Sequence, residues 1–95
     1  MAAYVIVELE VTDPARFEDY RKAVPATVET YGGRYLIRSR KVEAVEGAWS
    51  PGVFVVLEFP TLERAKEWWS SEEYRPLKAL RLASSTTRMI LADAL

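Results

Sequence analysis

Residues 54–74, FVVLEFPTLERAKEWWSSEEY, join two patterns whose order decides the fold. Phe54 to Phe59 is dense in β-branched and aromatic residues and reads as the body of a strand. Pro60 and Thr61 end it, and Thr61 is placed to cap a helix. Leu62, Ala65, Trp68 and Trp69 then fall at helical spacing. Ser70 to Glu73 has the form of a capping box, so the helix is expected to break and restart there. Tyr74, Leu77 and Leu80 continue the apolar stripe, with Pro76 near the restart. One residue does not suit an apolar strand: Glu58.

Outward from this unit, Tyr4 to Val11 reads as a first strand, with Val7, Leu9 and Val11 alternating against Glu8 and Glu10. Asp13-Pro14 supplies an N-cap and a proline in the first helical turn. Phe17, Tyr20, Val24, Val28 and Tyr31 follow on one helical face. Pro25 removes a backbone donor and is expected to kink that helix near Arg21. Gly32-Gly33 stops it. A second strand is expected from about Arg34 to Val45, the turn EGAWSPG leads to a third over Val53 to Phe59, and Thr86 to Ala92 forms the last. The order β-α-β-β-α-β is the split βαβ pattern of a ferredoxin-like α+β fold with a four-stranded antiparallel sheet. Residues 1–95 are expected to form a single domain.

Composition narrows the chemistry. The chain is 49% hydrophobic and 28% charged, the balance of a globular protein. Thirteen basic against fourteen acidic residues leave a net charge of −1, which argues against a nucleic-acid binder. Without cysteine there is no disulfide or thiolate; without histidine the commonest metal ligand and general base is missing. No acidic cluster has the spacing of a metal-binding loop, so no metal and no cofactor is expected. MAAYVIVELEV lacks a basic leader and reads as a strand rather than a signal peptide. No apolar run reaches the roughly 20 residues needed to cross a bilayer, and the expected location is cytoplasmic.

Two helical segments cover one face of a four-stranded sheet, and alternation sorts the side chains between faces. Val5, Val7, Leu9, Tyr35, Ile37, Val53, Val55, Leu57, Phe59, Met89 and Leu91 form an apolar set that belongs under the helices. The other set mixes Ile6, Phe54, Val56 and Ile90 with Glu8, Arg38, Arg40, Glu58 and Arg88. An exposed apolar patch of this kind marks an interface. A homodimer through the open sheet face, enclosing a small polar cavity, accommodates both the apolar and the charged members. Strict pairing of the second and third strands predicts that Glu58 contacts Arg38 or Arg40, within the chain or across the dimer.

YVIVELEVTDPARFEDYRKAVPATVETYGGRYLIR and VEAVEGAWSPGVFVVLEFPTLERAKEWWSSEEYRPLKALR together resemble the domain of unknown function family 1330 over nearly the whole chain. Tyr20, Pro25, Tyr31-Gly32-Gly33, Arg38, Glu46-Gly47, Trp49, Glu58-Phe59-Pro60, Ala65, Trp68, Tyr74 and Arg81 carry the resemblance. Members often follow the Arg38 position with two glycines, where this chain has Ser39 and Arg40, and close with Glu-Gly, where it has Asp93 and Ala94. The resemblance implies the dimeric α/β barrel superfamily, in which two ferredoxin-like sheets pack face to face. Its relatives include antibiotic-biosynthesis monooxygenases, muconolactone isomerase and haem-binding enzymes; several depend on histidine, which this chain lacks.

Glu58 is the candidate for catalysis: burial among apolar groups would raise its pKa toward neutrality, while a neighbouring arginine would lower it. The alternatives for it are a structural ion pair and an acid favoured by the helix dipole after Thr61. Arg38, Trp49, Tyr74 and Arg81 are the candidate ligand-binding residues. Arg38 could hold a carboxylate or phosphate in a bidentate fork, or simply pair with Glu58. Arg81 could clamp a ligand from the helix end, or be a solvated helix-surface arginine. Tyr20, Tyr31 and Tyr74 suit core positions with one hydrogen bond. Trp68 and Trp69 are adjacent and must point apart. Trp49 lies in a loop, where it could cover a cavity mouth or touch a second subunit. The expected function is binding of a small, anionic organic molecule in an interfacial cavity. A cofactor-independent monooxygenase or isomerase with Glu58 as proton acceptor, and a purely structural dimer, are the alternatives.

Overall fold

The structure is a computed structural model, and it describes residues 2–95. Its elements are β1 (Ala3–Val11), α1 (Pro14–Thr30), β2 (Arg34–Ser39), β3 (Val53–Phe59), α2 (Leu62–Trp69), α3 (Arg75–Ser84) and β4 (Ser85–Asp93). The four strands form one antiparallel sheet in the order β2-β3-β1-β4. This is the ferredoxin-like βαββαβ arrangement expected from the sequence, with the second helix divided in two.

Local chemistry explains the boundaries. The Asp13 side chain accepts from the Arg16 N–H at 3.3 Å, and Thr61 Oγ1 accepts from the Arg64 N–H at 3.1 Å, so both expected caps form. The first helix continues through Pro25 to Thr30. Gly32 then takes a positive φ of 80°, which a side chain would strain. Gly33 is needed for space: a Cβ there would stand 2.6 Å from Phe59 Cε1 and 2.8 Å from Val28 Cγ1.

The break after α2 occurs where expected, but through a different serine. Ser71 Oγ donates to the Trp68 carbonyl at 2.7 Å and accepts from the Tyr74 N–H at 3.1 Å, tying the end of α2 to the start of α3. Trp68 and Trp69 separate as their adjacency requires. Trp68 is buried, whereas Trp69 is exposed beneath Lys78 Nζ, 3.4 Å from its ring centre.

The core lies between one sheet face and the helices. Val5, Val7, Leu9, Leu57 and Phe59 meet Phe17, Tyr20, Val24 and Val28 of α1, with Ala65, Trp68 and Tyr74 beside them. Trp68 stacks on Tyr74 with ring centres 4.2 Å apart and on Phe59 at 5.5 Å. Its indole N–H donates to Thr27 Oγ1 at 3.0 Å.

The second strand departs from the expected span. It ends at Ser39 rather than Val45, because β3 begins only at Val53 and leaves residues 40–52 without a strand to pair with. It also contains an irregularity. Tyr35 faces Leu57 and Ile37 faces Val56, so Leu36 is an extra residue, a bulge on an edge strand. Every side chain beyond Leu36 therefore changes face.

Candidate functional site

The hairpin register overturns the expected pairing of Glu58. Arg34, not Arg38 or Arg40, lies opposite Glu58 in the hairpin, and Arg34 Nε donates to Glu58 Oε1 at 2.7 Å. The Tyr4 hydroxyl donates to Glu58 Oε2 at 3.2 Å. Arg38 instead faces Val55, and its guanidinium lies 5.3 Å from the Tyr35 ring centre on the helix-covered side. Two causes act together: the hairpin register places Arg34 four residues nearer than expected, and the bulge turns Arg38 over. Ile37 makes the reverse exchange, from the expected core set to the open face, where it is 45% exposed.

The open face is consequently banded. Ile37, Val56, Ile6 and Ile90 are register partners in succession, forming one aliphatic row across all four strands. On one side lies Arg34–Glu58–Tyr4; on the other, Phe54, Glu8 and Arg88. Glu8 accepts from Arg88 Nε and from the indole N–H of Trp49, whose ring meets Phe54 edge-on at 5.8 Å. Trp49 is therefore a clasp on the open face, and it also lines a cleft of about 290 Å³ with Glu8, Glu10 and Arg88.

Both acids titrate below the usual carboxylate range. For Glu58 the hydrogen bond from Arg34 is the main cause; for Glu8 it is the bond from Trp49, followed by Arg88. Burial acts in the opposite direction on each and loses. A depressed folded-state pKa stabilises the fold above the unfolded value of 4.5 and loses that contribution as pH falls through the folded value. The melting temperature is thus expected to fall steadily below about pH 4.5, and Glu8→Gln/Glu58→Gln to flatten that slope in a thermal-melt series. An unchanged slope in the double variant would show that these pairs do not matter.

The larger cavity lies on the other side of the sheet, between its helix-covered face and α1, with a volume of about 630 Å³. Its walls are apolar, including Val7, Leu9, Val24, Val55 and Trp68. Its charged lining is one-sided: Arg21, Arg38, Arg40 and Lys41 contribute, and no aspartate or glutamate does. Arg21 is paired with Glu18, whereas Arg38, Arg40 and Lys41 form no direct ion pair among the described residues, although the charge of Arg40 reaches Glu18. The irregular segment after β2 brings Arg40 and Lys41 to the mouth. The sequence pointed to Arg38 and Arg40 but missed this convergence; the clustering of cations in RYLIRSRK was the available signal.

Tyrosines supply the inner polar groups. Tyr20 and Tyr74 share a hydrogen bond of 2.9 Å between their hydroxyls, and Tyr20 and Tyr35 both line the cavity. Burial pushes Tyr35 up to about 12 and raises Tyr20 and Tyr74 as well, so all three are neutral hydroxyls near pH 7. Arg81 is not the solvated surface residue that its place on α3 would suggest. It is 5% exposed and close enough to Tyr20 and Tyr74 for its charge to oppose their upward shifts. The structure therefore brings Tyr74 and Arg81 together behind the cavity wall and Arg38 to its rim. Glu58 and Trp49 lie across the sheet from them. Among the described residues no group of three or more histidine, cysteine, aspartate or glutamate side chains is arranged to hold a metal ion.

Residues 2–95 match the domain of unknown function DUF1330. The chain belongs to that family. No match was found among curated proteins. Several solved structures share the fold. A protein of unknown function from Rhodopseudomonas palustris is 14% identical, with a TM-score of 0.82 over 99% of this chain and 82% of that one. A dimeric ferredoxin-like protein of unknown function from Jannaschia sp. CCS1 is 8% identical, with a TM-score of 0.76 over 99% and 100%. SnoaB, a cofactor-independent oxygenase from Streptomyces nogalater, is 16% identical, with a TM-score of 0.69 over 99% and 93%. No helix among the described residues is long and apolar enough to cross a membrane.

Proposed function

We infer that this DUF1330 chain binds a small organic anion with an apolar body, in the cavity between the sheet and α1. The observation that carries this reading is the lining, apolar walls with four cations and no acid. A carboxylate at the rim would meet Arg38, Arg40 and Lys41, while the hydrocarbon part would displace water from the walls. This reading puts the ligand within the subunit rather than between two, and it is supported by Arg38 facing the helices and by the pairing of the open-face charges as Arg34–Glu58 and Glu8–Arg88. The aliphatic row on that face supports a homodimer, and the dimeric Jannaschia neighbour supports the same assembly. A cytoplasmic location is retained as the default for this reading.

The test is a titration with 1-naphthoate and its neutral counterpart 1-naphthamide, followed by tryptophan fluorescence, since Trp68 lines the cavity. Naphthoate is expected to bind more tightly, to weaken with added salt, and to weaken roughly tenfold in Arg38→Ala, the scale of one charged hydrogen bond. Equal affinity for acid and amide would overturn the reading.

A cofactor-independent oxygenase is the second reading, supported by the activity of SnoaB. Glu58 is poorly placed to be its proton acceptor: its pKa is lowered and it lies across the sheet from the cavity. Glu58→Gln should therefore leave naphthoate binding unchanged.

A further inference from the structure

The polar groups behind the cavity wall hold more hydrogen-bond donors than acceptors. The Tyr20–Tyr74 bond uses one of two hydroxyl protons and leaves the other without an acceptor among the described residues. The Tyr35 hydroxyl has no hydrogen-bond partner among them either. Arg81 can only donate; its Nε is buried without a partner, and no carboxylate among the described residues pairs with it. A buried cation with an unpartnered N–H is costly unless something accepts from it. The adjoining space is the cavity, reached through Tyr20 and Tyr35.

We propose that Tyr20 and Tyr35, backed by Tyr74 and Arg81, form a subsite for an oxygen acceptor, a carbonyl or an oxyanion, on the inner wall of the cavity. The ligand is then two-ended: an acid group at the cationic rim, an apolar and preferably aromatic middle, and an acceptor oxygen at the far end. This rests on the anion-binding reading and narrows its ligand class. Arg81 is a positioning residue here; it orients the hydroxyl pair and favours negative charge on the oxygen they bind. The raised pKa values of the three tyrosines agree, since they keep the hydroxyls as donors.

The test compares probes that differ only in the acceptor: 6-acetyl-2-naphthoate and 6-isopropyl-2-naphthoate, with the matching benzoates and biphenyl carboxylates to vary the span. At the best-fitting length the acetyl acid is expected to bind about tenfold more tightly than its isopropyl isostere. Tyr20→Phe, which keeps the ring, should erase that preference while leaving isopropyl affinity unchanged. Tyr74→Phe should reduce it, with circular dichroism confirming the fold. Equal binding of the two acids at every length would overturn the subsite but leave the anion site standing. A preference that survives in Tyr20→Phe would also overturn it. Failure of every acid to bind would remove both readings.

Discussion

Trp68→Ala is expected to remove about 3–5 kcal/mol of folding stability, the range for truncating a buried large aromatic residue. Trp68 is 1% exposed, stacks on Tyr74 and Phe59, and lines the cavity. Truncation would join the space of the lost indole to a cavity already present, so the surrounding groups gain little by collapsing into it. The hydrogen bond to Thr27 goes too, although Thr27 Oγ1 keeps its 2.8 Å bond to the Val24 carbonyl. Against a typical total of about 5–15 kcal/mol, that loss leaves a marginal protein. Urea denaturation measures it directly. Trp69→Ala is the control, since Trp69 is 43% exposed and its main contact is with Lys78. A loss below about 1 kcal/mol for Trp68→Ala would show that the core does not centre on this residue.

The same tryptophan shows which parts of the molecule could be read from the sequence. Helical spacing required Trp68 and Trp69 to point apart because each helical residue turns by a fixed angle, and the structure shows that Trp68 is the buried one. Alternation likewise sorted β1, β3 and β4, whose registers are unbroken. It failed in β2 because one extra residue, Leu36, inverts everything after it, and nothing in RYLIRS marks a bulge. From that single residue followed the wrong face for Arg38 and Ile37, while the wrong partner for Glu58 came from the hairpin register, which sets Arg34 opposite it. Val42 and Val45 suit a strand by composition, yet a strand needs a partner, and none is present opposite them. Arg81 was hidden for a different reason. Its position seven residues after Tyr74 places both on one helical face, but α1 is what covers that face, and chain order alone does not show how two helices meet.

The aliphatic row on the open face gives the other large effect. Val56→Lys is expected to convert the proposed homodimer to monomers. Val56 sits between Ile6 and Ile37, with Ile90 beyond Ile6, so the row has no charged side chain of its own. The acids nearest to it, Glu8 and Glu58, are already held by Arg88, Trp49, Arg34 and Tyr4, and offer little to a new lysine. A two-fold interface presents each substitution twice, which brings two ammonium groups into the same desolvated strip. At about 2 kcal/mol or more for each central side chain, the dissociation constant should rise on the order of 10³-fold. Within a single subunit the lysine can reach water, so the monomer should keep its fold and its circular dichroism. Val45→Lys, at a position 94% exposed in the loop after β2, should change neither property. Sedimentation across a concentration series separates the outcomes. A Val56→Lys protein that remains fully dimeric would move the interface off this face, and the aliphatic row would then need another partner.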